Sequence, residues 1–306
     1  MYNNIVKIIK NKNLTKLNTF GIKSVAEYFC EPKKENEFLE VIQWAEKNKK
    51  QWNVIGGGSN IVCPEKIKGL VIKVGGGKIK IINGKVIADA GIPLDQFIRF
   101  VIKNGYKGIE MLSGIPGTLG GAIIGNAGAY GGSISDYIVR VRVLCDGKVK
   151  WVSKKDCKFG YRESALKHSP CVLLYAEFRF KKGDSKELNI ISKKIINTRN
   201  KKYSPKIKCP GSYFKNVQIS KVSPSVLKKV DVSKIIDGKI PVGYILESVG
   251  AKGISCGGMC VADFHANCII NMKNGTAKDA KSIAKLLKKK VLKHFDISLE
   301  EEIRYL

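Results

Sequence analysis

The sequence lacks the features of a membrane-anchored, secreted or metal-binding protein. No apolar run in its 306 residues reaches the roughly 18 that a membrane span needs. The start, MYNNIVKIIKNKNL, has neither the apolar core nor the small-residue cleavage site of a secretory signal. The nine cysteines are an odd number without a CxxC pair. We therefore expect reduced thiols, no metal site, and a cytoplasmic protein that does not insert into a membrane.

Acidic residues are scarce. The sequence has 26 Asp and Glu against 55 Lys and Arg, which gives a formal net charge of +29. Such a positive field favours anionic partners. Arginine, which nucleic-acid surfaces prefer for bidentate contacts, stands at only seven positions, and no aromatic-rich basic groove is visible. We expect solvated lysines, small anionic ligands and no nucleic acid. A basic protein that binds nucleic acid or an anionic surface is the alternative from another functional class.

A glycine-rich stretch at 108–132, GIEMLSGIPGTLGGAIIGNAGAYGG, organises the chain. Large apolar side chains are interleaved with its glycines, so it is not a flexible linker. Glycine lets main-chain N–H groups come close to a ligand, and runs of N–H groups hold anions such as pyrophosphate. A second segment, GGGSN at 56–60, follows a predicted strand but is not a GxGxxG fingerprint. A flat polar ligand, or a buried bend and a tight turn without ligand, would explain these segments.

Apolar periodicity and turn signals predict strands and helices that alternate in two blocks, and hence an α+β fold of several domains. Thr276 is the expected N-cap of the last helix, with Asp279 in its first turn. The basic segment 203–210 contains two prolines and is interpreted as a domain linker. The predicted strands are 25–29, 52–55, 70–74, 79–82, 86–90, 138–144, 149–152, 171–180, 260–262, 268–271 and the end of the chain. The predicted helices are 34–49, 93–104, 186–202, 242–249 and 276–293, with a short helix or arm at 1–17.

Four segments match one family in order and spacing: NTFGI at 18–22, IGGGSN at 55–60, SGIPGTLGGAIIGNAGAYG at 113–131 and GSYFKN at 211–216. YRES at 161–164, HANCIIN at 265–271 and LEEEIR at 299–304 agree as well. On these motifs the chain resembles the UDP-N-acetylenolpyruvoylglucosamine reductases, the MurB family of flavoenzymes. The resemblance covers almost the whole chain and fits the shorter form, which lacks an extra loop over the substrate. Where the family usually has an aromatic residue after Asn267, this chain has Cys268.

The resemblance implies the fold and the cofactors. It implies a vanillyl-alcohol-oxidase (PCMH)-type FAD-binding unit in two subdomains, 1–68 and 69–202, followed by a C-terminal α+β substrate domain, 203–306. It also implies non-covalent FAD, with NADPH as co-substrate. The FAD contacts implied by the matching motifs are Ile55, Gly56, Gly57, Gly58, Ser59, Asn60, Ser113, Gly114, Ile115, Pro116, Gly117, Thr118, Gly120, Gly121, Asn126, Ala127 and Gly128.

The implied reaction is NADPH-dependent reduction of UDP-N-acetylenolpyruvoylglucosamine to UDP-N-acetylmuramate. This is a step of peptidoglycan precursor synthesis, which serves cell wall biogenesis, cell shape and cell division. Arg162 would hold the carboxylate of the enolpyruvyl group as it gains charge, and Glu302 would help to polarise it. Ser212 would donate the proton.

The remaining implied contacts concern the UDP-sugar substrate: Tyr161, Lys215, Asn216 and His265, with Lys215 facing the diphosphate or the nicotinamide nucleotide. The protein is expected to act as a monomer. Without the family, a serine in a Gly-Ser-aromatic turn and an arginine beside a glutamate would both be interpreted as structural. Another flavin oxidoreductase of the same superfamily, with a different small substrate, is the alternative enzyme.

Overall fold

A computed structural model of the protein describes residues 6–202, 204 and 207–306. Within these residues the chain forms two compact units. The first contains 6–12, 26–57 and 67–202, and the second contains 13–25, 58–66, 204 and 207–306. Two early segments therefore belong with the C-terminal part of the chain. The division into three domains at 68 and 202 stays a prediction, and the predicted linker at 203–210 lies partly outside the described residues.

The first unit is built on two sheets. In spatial order, the strands of one sheet are Ile9–Asn13, Val25–Cys30, Lys66–Lys73 and Trp52–Ile55, and the last two are parallel. Those of the other are Lys148–Ser153, Ile138–Cys145, Val172–Phe178, Lys85–Asp89 and Ile79–Ile82, which pair antiparallel. Its two hairpins turn at Asn83-Gly84 and Asp146-Gly147, where both residues of each pair have positive φ. These are the turns that such pairs favour between strands, as predicted.

The helices of the first unit are Glu35–Lys47, Leu94–Lys103, Leu119–Ile124 and Ser185–Lys202. Leu94–Lys103 has five apolar residues on one side, and all five are buried in the core. In that core, the Phe97 ring lies 4.8 Å from the Phe178 ring, which stacks at 5.8 Å on Phe180. The helical period of the sequence therefore sets which face of this helix packs inward. Short strand pairs complete the unit: Tyr106–Lys107 with Lys181–Lys182, and Gly128–Ala129 with Gly132–Ser133.

The second unit packs around the helix Ala277–Phe295. A capping box starts it, since the Thr276 hydroxyl accepts from the Asp279 N–H at 3.2 Å and the Asp279 carboxylate accepts from the Thr276 N–H at 2.9 Å. It ends at Asp296, which has φ 60°. The predicted N-cap is thus confirmed. The other elements are the helices Pro224–Leu227 and Val242–Ser248, the sheet Ser255–Cys256, Met259–Val261 and Ile269–Asn271, and the strand pairs Val217–Gln218 with Lys239–Ile240 and Ile61–Val62 with Arg304–Tyr305.

Two expectations from the sequence are wrong. The described part of the segment 1–17 forms a strand, Ile9–Asn13, and a 3-10 turn, Thr15–Leu17, because the segment pairs with Val25–Cys30. The cysteines are not all reduced, because Cys145 and Cys171 form a disulfide with a Cα–Cα distance of 4.5 Å. Cys145 and Cys171 stand one position beyond the strand pair Leu144 and Val172, so they face each other across the two strands. At a Cα–Cα distance of 4.5 Å, two facing cysteines are close enough to form a disulfide.

The α+β fold class is confirmed by the mixture of largely antiparallel sheets and helices. In the part of the chain that the structure describes, no helix combines the length and the apolar character that a bilayer crossing needs. Over the same residues, no group of three or more His, Cys, Asp or Glu side chains is arranged to hold a metal ion.

Candidate functional site

The two glycine-rich segments meet in the first unit. A Cβ atom on Gly57 would lie 2.7 Å from the Cα of Gly117, and one on Gly56 would collide with the Thr118 hydroxyl. Real Cβ atoms essentially never approach other atoms so closely, so only glycine allows this contact of main chain with main chain. The turn after the strand Trp52–Ile55 and the loop before the helix Leu119–Ile124 therefore form one continuous backbone surface.

The glycine-rich stretch is held rigidly. The main-chain N–H groups of Leu119 and Gly120 donate to the carbonyl oxygens of Ile92 and Ala90, at 2.9 and 2.8 Å. Thr118 caps the short helix, because its hydroxyl accepts from the Gly121 N–H at 3.3 Å. Further upstream, the buried hydroxyls of Ser113 and Ser192 share a hydrogen bond of 2.8 Å. The stretch is an anchored loop and not a flexible linker.

The loop that carries Arg162 docks on the end of this stretch. The Arg162 Nη2 donates to the carbonyl oxygen of Gly128 at 2.9 Å, and the Asn126 Nδ2 donates to the carbonyl oxygen of Gly160 at 2.8 Å. The Ser164 hydroxyl donates to the carbonyl oxygen of Ile124 at 2.7 Å. The structure thus brings the predicted catalytic arginine against Gly128, and its loop against Asn126, both of which are predicted cofactor residues.

Arg162 has an unusual backbone conformation, with φ +55°. A residue other than glycine in this left-handed region carries strain of about 1–3 kcal/mol and persists only where its surroundings hold it. The hydrogen bond to Gly128 and the contact of the guanidinium with the Tyr161 ring, 5.5 Å from its centre, supply such surroundings. The strain and these contacts together indicate that the direction of the Arg162 side chain is fixed by the fold.

Glu163, the next residue, keeps its charge within the same loop. Burial raises the pKa of its carboxyl, but the hydrogen bond with His168 and the charge of Lys167 outweigh that and lower the pKa to about 2. The carboxylate lies 2.8 Å from His168 Nε2 and 3.4 Å from Lys167 Nζ. Glu163 is therefore ionised at neutral pH and ties the Arg162 loop to the 3-10 turn Ala165–His168.

In the second unit, the segment with Ser212 lies beside the end of the chain. The Glu302 N–H donates to the carbonyl oxygen of Tyr213 at 2.8 Å, and the Lys215 N–H donates to that of Glu300 at 2.9 Å. Ser212 follows Gly211, whose φ of +89° suits glycine. The backbone therefore places the predicted catalytic residues Ser212 and Glu302 on adjacent segments.

Asn267 holds the Ser212 segment from its other side. Its Oδ1 accepts from the Phe214 N–H at 2.9 Å, its Nδ2 donates to the Phe214 carbonyl oxygen at 2.8 Å, and its own carbonyl oxygen accepts from the Tyr213 N–H at 2.9 Å. The side chain is only 3% exposed. Asn267 has no predicted role from the sequence, and its position inside the HANCIIN motif is the one signal that points to it.

The predicted substrate residues of the second unit already have protein partners. The buried Lys215 ammonium pairs with the carboxylate of Glu300, a residue without a predicted role. The Asn216 Oδ1 accepts from the Val242 N–H at 3.1 Å. The His265 Nδ1 accepts from the Asn267 N–H at 3.0 Å, and its ring packs against Gly243. His265 is therefore packed and hydrogen-bonded within the protein. Its contact with the substrate stays a prediction.

The predicted FAD residues are divided between the units. Ile55, Gly56 and Gly57 and those of the 113–128 stretch lie in the first, with Tyr161 and Arg162. Gly58, Ser59 and Asn60 lie in the second. There the Asn60 Nδ2 donates to the Glu302 carbonyl oxygen at 3.1 Å, and the Gly58 carbonyl oxygen accepts from the Thr19 N–H at 3.0 Å. Asn60 and Glu302 are thus joined directly.

Comparison with known proteins identifies the family. The FAD binding domain family model matches residues 26–153, and the model of the C-terminal domain of UDP-N-acetylenolpyruvoylglucosamine reductase matches 203–306. The chain is 38% identical to the UDP-N-acetylenolpyruvoylglucosamine reductase of Solibacter usitatus (strain Ellin6076), over 94% of this chain and 92% of that one. The chain belongs to the UDP-N-acetylenolpyruvoylglucosamine reductase family. The family that the sequence motifs predicted is therefore confirmed.

Further members of the family agree. The reductase of Prochlorococcus marinus (strain NATL2A) is 30% identical over 98% of both chains. The crystal structure of the family member from Thermus caldophilus superposes with a TM-score of 0.75 at 23% identity, over 98% of both chains. The structural match supports the fold: a PCMH-type FAD-binding part followed by the C-terminal domain of this family, as predicted.

Proposed function

We propose that this protein reduces UDP-N-acetylenolpyruvoylglucosamine to UDP-N-acetylmuramate with NADPH, through non-covalently bound FAD, in peptidoglycan precursor synthesis. The observation that carries the proposal is the identity of 38% to a named reductase over 94% of the chain. It is supported by the docking of Arg162 on Gly128, which places a strong hydrogen-bond donor beside the predicted cofactor stretch.

FAD fits the residues present. At the tight contact of Gly57 with Gly117, main-chain atoms meet main-chain atoms, with the Thr118 hydroxyl beside Gly56, in the region matched by the FAD binding domain. Such surfaces hold diphosphates through N–H groups. We assign Gly56, Gly57 and the 113–128 stretch in the first unit, and Gly58, Ser59 and Asn60 in the second, to FAD. When bound, FAD supplies the carrier that passes a hydride from NADPH to the substrate.

Arg162 would bind the carboxylate of the enolpyruvyl group. Reduction of a double bond conjugated with a carboxylate builds negative charge on that carboxylate, and a fixed guanidinium stabilises the charge as it forms. Because Gly128 and the strained backbone fix Arg162 before the substrate arrives, little reorganisation accompanies the reaction.

Ser212 would donate the proton that the other carbon of the double bond requires, with Glu302 polarising the carboxylate. A serine hydroxyl is a weak acid, so it transfers a proton only to a strongly basic centre such as an enolate. The hydrogen bonds of Tyr213 to Asn267 and Glu302 hold the Ser212 segment in place on both sides. Lys215, with Tyr161, Asn216 and His265, would contribute to binding the UDP-sugar and NADPH.

The setting follows from this chemistry. We propose that the protein acts in the cytoplasm, where NADPH and UDP-sugars are available, as a monomer and without nucleic acid. Salt-sensitive retention on DNA or RNA at low ionic strength would contradict the last point.

Flavin absorbance tests the proposal. The purified protein should be yellow, NADPH should bleach the flavin band, and the enolpyruvyl nucleotide should restore it. A protein that does not take up FAD would refute the proposal. Recovery driven by oxygen alone, with no response to the nucleotide, would favour another flavin oxidoreductase of the superfamily.

The variant Ser212→Ala tests the proton donor. We expect it to keep bleaching by NADPH and to lose recovery by the nucleotide. Ser255→Ala, at an exposed serine of the same unit, is the matched control and should keep both steps. If both half-reactions fell together in Ser212→Ala, the proton-donor role would be wrong.

A further inference from the structure

The outer face of the helix Ala277–Phe295 is basic and carries no carboxylate. Successive residues of a helix are about 100° apart, so its side chains divide into faces. One face holds the apolar stripe, which is buried in the core of the second unit. The opposite arc, about 140° wide, holds exposed side chains. These side chains, which we call the lysine face, are Lys278, Lys281, Ser282, Lys285, Leu286, Lys289, Leu292 and Lys293.

The five lysines of this face are not neutralised by the protein. In the part of the chain that the structure describes, none of them forms an ion pair with a carboxylate. The lysines at the two edges of the face differ. Lys288 Nζ lies 2.8 Å from the Glu301 carboxylate, and Lys290 Nζ donates to the Val249 carbonyl oxygen at 3.3 Å. The protein therefore supplies partners at the edges and leaves five ammonium groups on the face itself.

The lysine face contains a shallow depression that suits a phosphate group. Its volume is about 350 Å³, which is large enough for a phosphodiester headgroup, and its lining includes three of the five lysines. The Lys281 ammonium lies over the Tyr305 ring, 4.5 Å from its centre, so its position is fixed while its charge is kept. The lining residues are Ala277, Lys278, Lys281, Ser282 and Lys285.

Two exposed leucines indicate which anionic partner the face fits. Leu286 and Leu292 are 43% and 51% exposed and stand among the lysines. On an anionic bilayer, ammonium groups meet lipid phosphates while apolar side chains enter the boundary between headgroups and acyl chains. Nucleic-acid surfaces instead use arginine and aromatic rings that stack on bases, and the lysine face has neither. The combination of residues therefore favours a lipid surface.

We propose that the lysine face attaches the protein peripherally to the anionic lipids of a bilayer surface. The helix lies parallel to that surface, with its outer lysines spread over about 22 Å and both leucines at the headgroup boundary. The inner side of the helix stays in the core, so attachment requires neither unfolding nor a helix that spans the bilayer. Ser212 and Glu302 lie outside this helix, so the attachment is independent of the proposed reaction.

Vesicle sedimentation of the full-length protein tests the attachment. We expect the protein to sediment with vesicles of phosphatidylcholine and phosphatidylglycerol and to stay in solution with vesicles of phosphatidylcholine alone. Replacing three lysines of the face by glutamine should lower the partition coefficient about a hundredfold, since each contributes about one unit of attraction to an anionic surface. The variant is Lys278→Gln, Lys285→Gln and Lys289→Gln. Absence of sedimentation in the wild type would refute the proposal.

A matched control removes the same charge elsewhere in the second unit. Lys228, Lys229 and Lys234 are also exposed, but Asp231 and Asp237 stand between and beside them in the sequence. Replacing these three lysines by glutamine lowers the net charge equally and should reduce the partition coefficient less than threefold. Equal losses in the two triple variants would show that the overall charge and not the lysine face attracts the vesicles, and would overturn the proposal.

The leucines separate a lipid partner from a nucleic acid. Leu286→Gln with Leu292→Gln keeps every charge and uses a good helix former, so only the apolar contact is lost. We expect this variant to bind phosphatidylglycerol vesicles at least tenfold more weakly than the wild type, and circular dichroism should show the same helix content. Unchanged vesicle binding would refute the role of the leucines. Retention of a DNA duplex or an RNA hairpin as tight as that of the vesicles would refute the lipid as the partner.

Discussion

Replacing Asn267 by Ala should weaken the second unit and slow the step assigned to Ser212. The Asn267 side chain satisfies both main-chain groups of Phe214, at 2.9 and 2.8 Å, inside the core. Alanine leaves a buried N–H and a buried C=O without partners, and each costs about 1–3 kcal/mol. We therefore expect the free energy of unfolding of this unit to fall by about 2–6 kcal/mol. Because Phe214 follows Ser212 by two residues, recovery of the flavin band by the nucleotide should slow at least tenfold.

The assay must report on the second unit alone. All three tryptophans, at 44, 52 and 151, lie in the first unit, so amide hydrogen exchange in the helix Ala277–Phe295 is the appropriate probe. Leu287→Ala is the matched control, since Leu287 is fully buried on that helix and its loss costs about 2–5 kcal/mol. At a temperature at which both variants are folded, only Asn267→Ala should slow the recovery. Unchanged exchange in Asn267→Ala, or equal slowing in Leu287→Ala, would refute the reasoning.

Three further predictions concern the first unit and are checked by urea unfolding followed by tryptophan fluorescence. Glu177→Ala removes a carboxylate, 3% exposed, that lies 2.6 Å from Lys85 Nζ and 2.9 Å from Arg140 Nη2. Because both cations are partly exposed and water can replace the carboxylate, we expect a destabilisation of about 1.5–3 kcal/mol, and a loss below about 0.5 kcal/mol would contradict this. Reduction of Cys145–Cys171, which are 26 residues apart, should destabilise by about 3.5 kcal/mol, and an unchanged midpoint would contradict it. Because the pKa of Glu163 is lowered to about 2 from 4.5, its contribution is full above pH 4.5 and is lost as the pH falls through 2. Because 35% of this side chain is exposed, the contribution to the free energy of unfolding is at most about 1 kcal/mol. The free energy of unfolding of Glu163→Gln should therefore lie below that of wild type by up to this amount at pH 6 and by much less at pH 2. A difference independent of pH would contradict this assignment.

Regular elements with a strong local pattern could be predicted from the sequence. The strand Trp52–Ile55 agrees with its prediction to the residue, and the helix Leu94–Lys103 to within one residue at each end, because each has an apolar period bounded by turn residues. The helix Leu119–Ile124 was not predicted. Its two glycines disfavour a helix, and it forms because main-chain groups at 90 and 92 hold its first turn. Whether such a glycine-containing segment forms a helix is decided by contacts with distant parts of the chain and not by its local sequence.

The organisation of the two units was harder to predict than the elements. Nothing in the segments 13–25 and 58–66 indicates that they join the C-terminal part of the chain, because that depends on long-range contacts such as the Thr19 hydroxyl on the Cys209 carbonyl oxygen. The disulfide was not predicted for the same reason. The spacing of Cys145 and Cys171 is uninformative until the strand register places them opposite each other.

The asparagines of the family motifs show what those motifs encode. Asn18, Asn126, Asn267 and Asn271 are each buried, and each uses both its amide oxygen and its amide nitrogen on main-chain groups. An aspartate at these positions would lack the N–H donor, and a leucine would lack both the donor and the acceptor. The main-chain groups around each side chain therefore suffice to explain why asparagine stands there. Much of the motifs at 18–22, 113–131 and 265–271 therefore specifies backbone geometry, which is a physical reason that these motifs predict the fold. The proposed chemistry rests on far fewer side chains, each presented by a segment that these amides hold in place.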